Sequence, residues 1–213
     1  EVPSGAISMS DLQNKSNAQF IVATGGSVVT SGDFKIHTFT SGSTFNVTQA
    51  GNAAGSNTVE YLVVAGGGSG VKGGGGGGGF RSVHPVPATG GLPVSVQGYP
   101  ITVGGGGSPS VFSTITSTRG GNGGDSGGPF PGQAGGSGGG GGHFPGPTGG
   151  GGGNAGGFSP PEGNSGGNGE NREAGGGGGA GANGGPGNGK NGGPGGNGRS
   201  TSISGSSQTF AGG

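Results

Sequence analysis

The sequence predicts an all-β N-terminal part followed by a bundle or slab of packed polyglycine II helices, with essentially no α-helix. Three observations lead there. Of 213 residues, 69 are Gly, about a third, where ordinary domains carry about 7%. Seven of those glycines fall in residues 1–65 and the other 62 beyond, so the chain has two compositions. In the second, the residues that are not Gly recur every three positions, the repeat of the extended polyproline II helix.

Composition also excludes several functions. Hydrophobic residues make up 24% of the chain, too few for a large enzyme core but enough for a small β core. Eight Lys and Arg balance eight Asp and Glu. With no basic stripe there is no electrostatic footprint for nucleic acid. No apolar run approaches the length that spans a bilayer, and the absence of Cys removes disulfides and thiolate metal sites.

Residues 1–19 read as an attachment segment, with Ile7, Met9 and Leu12 as its apolar contacts. Residues 20–118 form a β-rich base, with strand-like runs at 20–24, 33–40, 43–48, 59–65, 92–104 and 110–118. Phe34, Ile36, Thr38 and Thr40 alternate with Lys35, His37 and Phe39, the period of a strand. "TSGST" (40–44) is a hairpin signal that pairs the runs on either side of it. The glycine run 66–79 is inserted in this base. Residues 201–213 return as a strand against it, through Ile203 and Phe210.

Residues 119–200 are the glycine bundle. Arg119, Asn122, Asp125, Pro131, Ala134, Ser137 and His143 share one three-residue register. Ala174, Ala180, Asn183 and Pro186 share a second, and Asn188, Asn191, Pro194, Asn197 and Ser200 a third. A lone helix of this kind has no internal hydrogen bonds, so its N–H and C=O groups need partners in neighbouring helices. Glycine on two of three edges lets those neighbours close in, and the third edge faces solvent. Ordering such a chain costs roughly 1–2 kcal/mol of backbone entropy per residue, which only a cooperative network offsets.

Bulkier residues punctuate the runs every 13–15 residues or so. If successive tips alternate between two ends, one end gathers Pro129, Phe130, Pro131, Phe158, Pro160, Pro161 and Glu162. The other gathers His143, Phe144, Pro145, Pro147, Glu170, Arg172 and Glu173. Aromatic side chains flanked by Pro are preorganised and bind at low entropic cost. The first set is therefore the leading group of receptor-binding candidates, with His143, Phe144, Glu170 and Arg172 as the alternative end.

Three motifs suggest catalysis or ligation and are better read otherwise. "GDSGGP" (124–129) matches the surroundings of the serine in chymotrypsin-like proteases. That chemistry needs a histidine base, a carboxylate and an oxyanion hole, and no histidine here has the sequence context those enzymes use. "GGPGNGKN" (184–191) approaches a phosphate-binding loop, but neither a buried strand nor a helix former flanks it. His84 and His143 lack a carboxylate at ligand spacing and read as loop residues. No catalytic residue, metal or cofactor is expected.

"DFKIHTFTSGSTFNV" (33–47) and "VEYLVVAGGGSGVKGGGGGGGFR" (59–81) resemble the glycine-rich domain of bacteriophage tail and fibre proteins. "YPITVGGGG" (99–107) and "SVFSTITSTRGGNGG" (110–124) extend the resemblance, and "PSGAISMSDLQ" (3–13) is similar to an N-terminal segment of phage virion proteins. The remainder is similar to the tail-fibre tip adhesins of T-even-like phages. The resemblance implies a non-enzymatic virion protein at a distal tail fibre or baseplate. Its partners would be other fibre or baseplate subunits and a host outer-surface protein or glycan. It would act as a homotrimer or as a single cap on a trimeric fibre. The alternatives are a purely structural virion protein that touches only neighbouring subunits, and a cellular glycine-rich surface protein.

Overall fold

A computed structural model describes residues 17–84 and 91–213, and the attachment residues Ile7, Met9 and Leu12 lie outside them. The described residues form antiparallel strands and a glycine-rich block, with no α-helix among them.

The main sheet has five strands: β1 (Val22–Thr24), β4 (Ser43–Gln49), β9 (Gly98–Thr102), β10 (Ser110–Phe112) and β11 (Ile115–Ser117), in the order β1-β4-β9-β10-β11. Four two-stranded units surround it. They are β2 (Ser27–Ser31) with β3 (Phe34–Thr38), β5 (Thr58–Val59) with β8 (Leu92–Pro93), β6 (Tyr61–Val64) with β7 (Phe80–Val83), and β12 (Arg199–Thr201) with β13 (Gln208–Phe210).

Alternation along β4 makes the core. Phe45 and Val47 are buried while Thr44, Asn46 and Thr48 are exposed. Val94 and Tyr99 complete the cluster, and Ile21, Ala23, Phe39, Val59, Ile101 and Phe112 pack against it. Rings surround Phe45 edge-on, with His37 at 5.2 Å, Phe112 at 6.0 Å and Phe39 at 6.4 Å between centroids, a geometry that aromatic quadrupoles favour.

The hairpin expected at "TSGST" does not form, because β3 pairs with β2, a strand the sequence reading passed over, while β4 pairs with β1 and β9. Burial along β3 does not follow the alternation, since Ile36 and His37 are both half-buried. Phe34 is 67% exposed, whereas His37 packs on Phe45 and bonds the Gly25 carbonyl through Nδ1 at 2.8 Å. The return strand β13 pairs with β12 rather than with the main sheet.

The glycine block contains segments 66–70, 73–79, 118–124, 131–135, 137–142, 149–153, 163–169, 174–180, 184–187 and 193–198, joined sideways by backbone hydrogen bonds. Bonds from one segment step in threes. The N–H groups of Gly73, Gly76 and Gly79 donate to Gly124, Gly121 and Thr118, each at 2.8 Å. Those of Gly74 and Gly77 donate to Gly175 and Gly178 at 3.0 and 2.9 Å, and their own carbonyls accept from Gly140 and Ser137. A segment thus bonds to a different neighbour on each side. Residues 135–142 and 175–180 are buried throughout.

Most residues of the three expected solvent registers are exposed or half-buried, but Ser137 and Ala180 are fully buried. Both lie in inner segments, and Ala180 is covered by the returning chain end, donating its N–H to Ala211 at 2.8 Å.

Candidate functional site

The hydrogen-bond register fixes which tips share an end. The pairs Gly79–Thr118 and Gly136–Arg119 lie next to β7 and β11, and Gly73–Gly124 lies at the far end of the same segments. Residue 124 therefore arrives at the end opposite the strands, and the tip 125–130 sits there. The chain returns along 131–135, with Gln133 donating to Asn122, then turns and runs outward again along 137–142, with Gly140 donating to Gly74. The tip 143–147 consequently lies at the same end as 125–130. The same argument brings 170–173 and 188–191 to that end, through Gly167 with Gly141 and through Gly187 with Asn168.

This regroups the candidate residues. Pro129, Phe130 and Pro131 share an end with His143, Phe144, Glu170 and Arg172. Phe158, Pro160, Pro161 and Glu162 lie at the opposite end, against the strands, where Phe80 donates to the Glu162 carbonyl at 2.8 Å. The reason is the turn at 135–137. Residues 132–142 make an eleven-residue stretch that contains two antiparallel segments rather than one.

Burial also removes Glu162 as a receptor contact. It is 0% exposed. Its carboxylate accepts the Thr118 N–H at 2.9 Å and the Gly156 N–H at 3.3 Å, so backbone donors compensate its burial. Asn154 organises the surrounding loop: its side chain both donates to the Phe158 carbonyl and accepts the Phe158 and Glu162 N–H groups. The Arg81 guanidinium lies 3.7 Å from the centre of the Phe158 ring, a cation–π contact. Pro160 and Pro161 are exposed at this end.

The far end is a continuous surface of interlocked loops. In 125–130 the Asp125 carboxylate accepts the Ser126 N–H at 2.7 Å, Gly127 has φ +91°, and the Phe130 ring is 51% exposed. The Phe130 carbonyl accepts from Gly142, which anchors the loop to an inner segment. Loop 143–147 holds exposed His143 and half-buried Phe144, ending at buried Thr148, whose hydroxyl donates to Gly142 at 2.7 Å. Loop 170–173 is closed by reciprocal Glu170–Glu173 bonds of 2.8 Å, with positive φ at Asn171 and Arg172, as in a type I′ turn. Arg172 then donates its N–H to Phe144 at 2.9 Å, joining two loops directly. In 188–191 the Asn188 side chain accepts from Lys190 and Asn191.

Between 123–125 and 130–133 runs an open cleft of about 510 Å³, lined by Asp125, Phe130, Pro131 and Gln133 and the glycines beside them. Gln133 belongs to no motif, and only the cleft reveals it. The charges at this end are mixed: Lys72, Arg172 and Lys190 against Asp125, Glu170 and Glu173. Aromatic, amide and charged groups held by rigid backbone suit a polar partner with small apolar faces. They do not form a relay for bond cleavage, since Ser126 bonds to no histidine among the described residues. His84, far from His143, faces Glu60 and Ser202 instead. Compared with known proteins, the chain matches no family model, no curated protein and no solved structure.

Proposed function

We propose that the chain is a bacteriophage tail-fibre or baseplate protein that binds a host surface receptor through the loops at the far end of its glycine block. The observation that carries this reading is the gathering of four loops, 125–130, 143–147, 170–173 and 188–191, on the end of the block opposite the strands. Loops are where recognition concentrates when a rigid scaffold holds them. Exposed Phe130 and Pro131 cost little to order on binding, and many copies on one particle add avidity.

The same reading takes the glycine segments as polyglycine II helices. Bonds that step in threes, such as Gly73, Gly76 and Gly79 to Gly124, Gly121 and Thr118, are what a helix of three residues per turn produces when neighbours surround it.

The test is binding of labelled protein to a panel of bacterial strains, beside two variants. One has residues 129–131 and 143–145 replaced by Gly and Ser, the other residues 158–161. Loss of binding in the first and retention in the second, with circular dichroism unchanged, is the expected result. Loss only in the second moves the receptor site to the strand end. If no strain that the parent particle infects binds the protein, the attachment reading fails, and a structural role among neighbouring subunits replaces it.

A further inference from the structure

Outside the loop surface, one cluster has the geometry of a chemical relay. His84 follows β7, Glu60 stands between β5 and β6, and Ser202 follows β12. The imidazole Nδ1 contacts the Glu60 carboxylate, and Nε2 lies 3.1 Å from the Ser202 hydroxyl oxygen. A carboxylate only accepts hydrogen bonds, so Nδ1 carries the proton toward Glu60. With that tautomer Nε2 presents a lone pair, to which the Ser202 hydroxyl donates. This is the order carboxylate, imidazole, hydroxyl in which a serine becomes a nucleophile, and such a relay is recognised by geometry rather than by sequence order.

The surroundings fit that role. His84 and Glu60 side chains are only 21% and 25% exposed, whereas Ser202 is open to solvent. Base and carboxylate are thus sheltered and the nucleophile is reachable. Ser202 and His84 line a cleft of about 420 Å³ together with Ser200, Thr201 and Ser207.

We infer that Glu60, His84 and Ser202 form a Ser–His–Glu relay that hydrolyses short-chain carboxylic esters. Ser202 Oγ attacks the ester carbonyl while His84 Nε2 takes its proton. The bond from carbonyl carbon to alkoxide oxygen breaks as His84 gives that proton to the leaving oxygen, which departs as the alcohol. Water then attacks the acyl-serine with His84 as base, releasing the acid and restoring the hydroxyl. Ser202 and His84 are the catalytic residues, and Glu60 is a positioning residue that holds the ring. The acyl group is short because the cleft walls are hydroxyl-bearing and offer no apolar channel. An ester is the substrate class because an alkoxide leaves more readily than the amide anion of a peptide bond.

The experiment uses the whole chain and two probes, a fluorophosphonate and p-nitrophenyl acetate. Peptide mass spectrometry of the labelled wild-type protein needs no variant: an adduct on Ser202 is expected, and an adduct elsewhere, or none, overturns the inference. Ser202→Ala and His84→Ala lose labelling and bring hydrolysis to the buffer rate, with circular dichroism unchanged. Glu60→Gln lowers kcat on the order of 10²- to 10⁴-fold and leaves KM in place, a split that a merely structural role would not give. Wild-type rates in Ser202→Ala, or faster cleavage of p-nitrophenyl dodecanoate than of the acetate, overturn it as well.

Discussion

At Gly140 the backbone of a neighbouring segment lies where a side chain would begin. A Cβ built there would stand 2.0 Å from the Gly175 carbonyl oxygen, and one at Gly177 would stand 1.9 Å from that of Gly75. Neither position has a positive φ, so the need for glycine is closeness alone. A methyl group would push segments 137–142 and 174–180 apart and stretch the bonds that join them, Gly175 to Gly141 at 2.9 Å and Gly178 to Gly138 at 2.8 Å. Overpacking of this kind costs about 1–3 kcal/mol. Gly140→Ala is therefore expected to lower the thermal midpoint by several degrees. Gly152→Ala, where no atom lies within 4 Å, should change stability by less than about 0.5 kcal/mol. Paired thermal melts followed by circular dichroism check both.

Among the elements, the glycine segment is a unit with a phase. On the polyglycine II reading proposed above, one residue inserted between Gly177 and Gly178 turns the rest of segment 174–180 by a third of a revolution. Gly178 then no longer meets Gly138 and Gly77, nor Gly179 Asn164. Such an insertion should lower the midpoint more than Gly140→Ala does, while one glycine added in loop 188–191 should leave it nearly unchanged. Through-hydrogen-bond scalar couplings between Gly76 N and the Gly121 carbonyl carbon, measured by NMR, read the register directly.

The exposure of Asn122, Asp125, Pro131 and Ala134 follows the three-residue register read in the sequence, and that of buried Ser137 does not. The turn at 135–137 was not legible, because "GGS" carries no Pro, Asn or bulky residue to mark it within the glycine run; only the length of 132–142 hints at two passes. Strand β4 was legible because Phe45 and Val47 alternate with Thr and Asn. Pairing of β3 with β2 was hidden by a stronger turn signal on the wrong side. The Glu60, His84 and Ser202 cluster joins residues 24 and 118 positions apart, and no local pattern encodes such a meeting.

For the molecule as a whole, the balance of forces is unusual. The buried hydrophobic side chains are few, with Phe45, Val47, Val63, Phe80, Val94, Tyr99 and Ile115 the larger ones. The block is ordered by backbone hydrogen bonds, each contributing about 0.5–1.5 kcal/mol net. Heat capacity of unfolding rises with apolar exposure and falls with polar exposure. Differential scanning calorimetry should thus give a ΔCp per residue well below the usual 12–15 cal/mol/K, with one cooperative transition if the strands and the block unfold together. An ordinary ΔCp would mean that the small core, not the block, dominates stability.

The crosswise bonding also has a mechanical consequence. The cross-bonds run perpendicular to segments that stretch from the strands to the loop end. A pull applied at Phe130 and resisted at the strands would load those bonds in shear. Many of them would share the force at once, instead of opening one after another as in a zipper. Stiffness along the segments and softness across them would let such a body carry tension from its tip to its base without losing the shape of the tip.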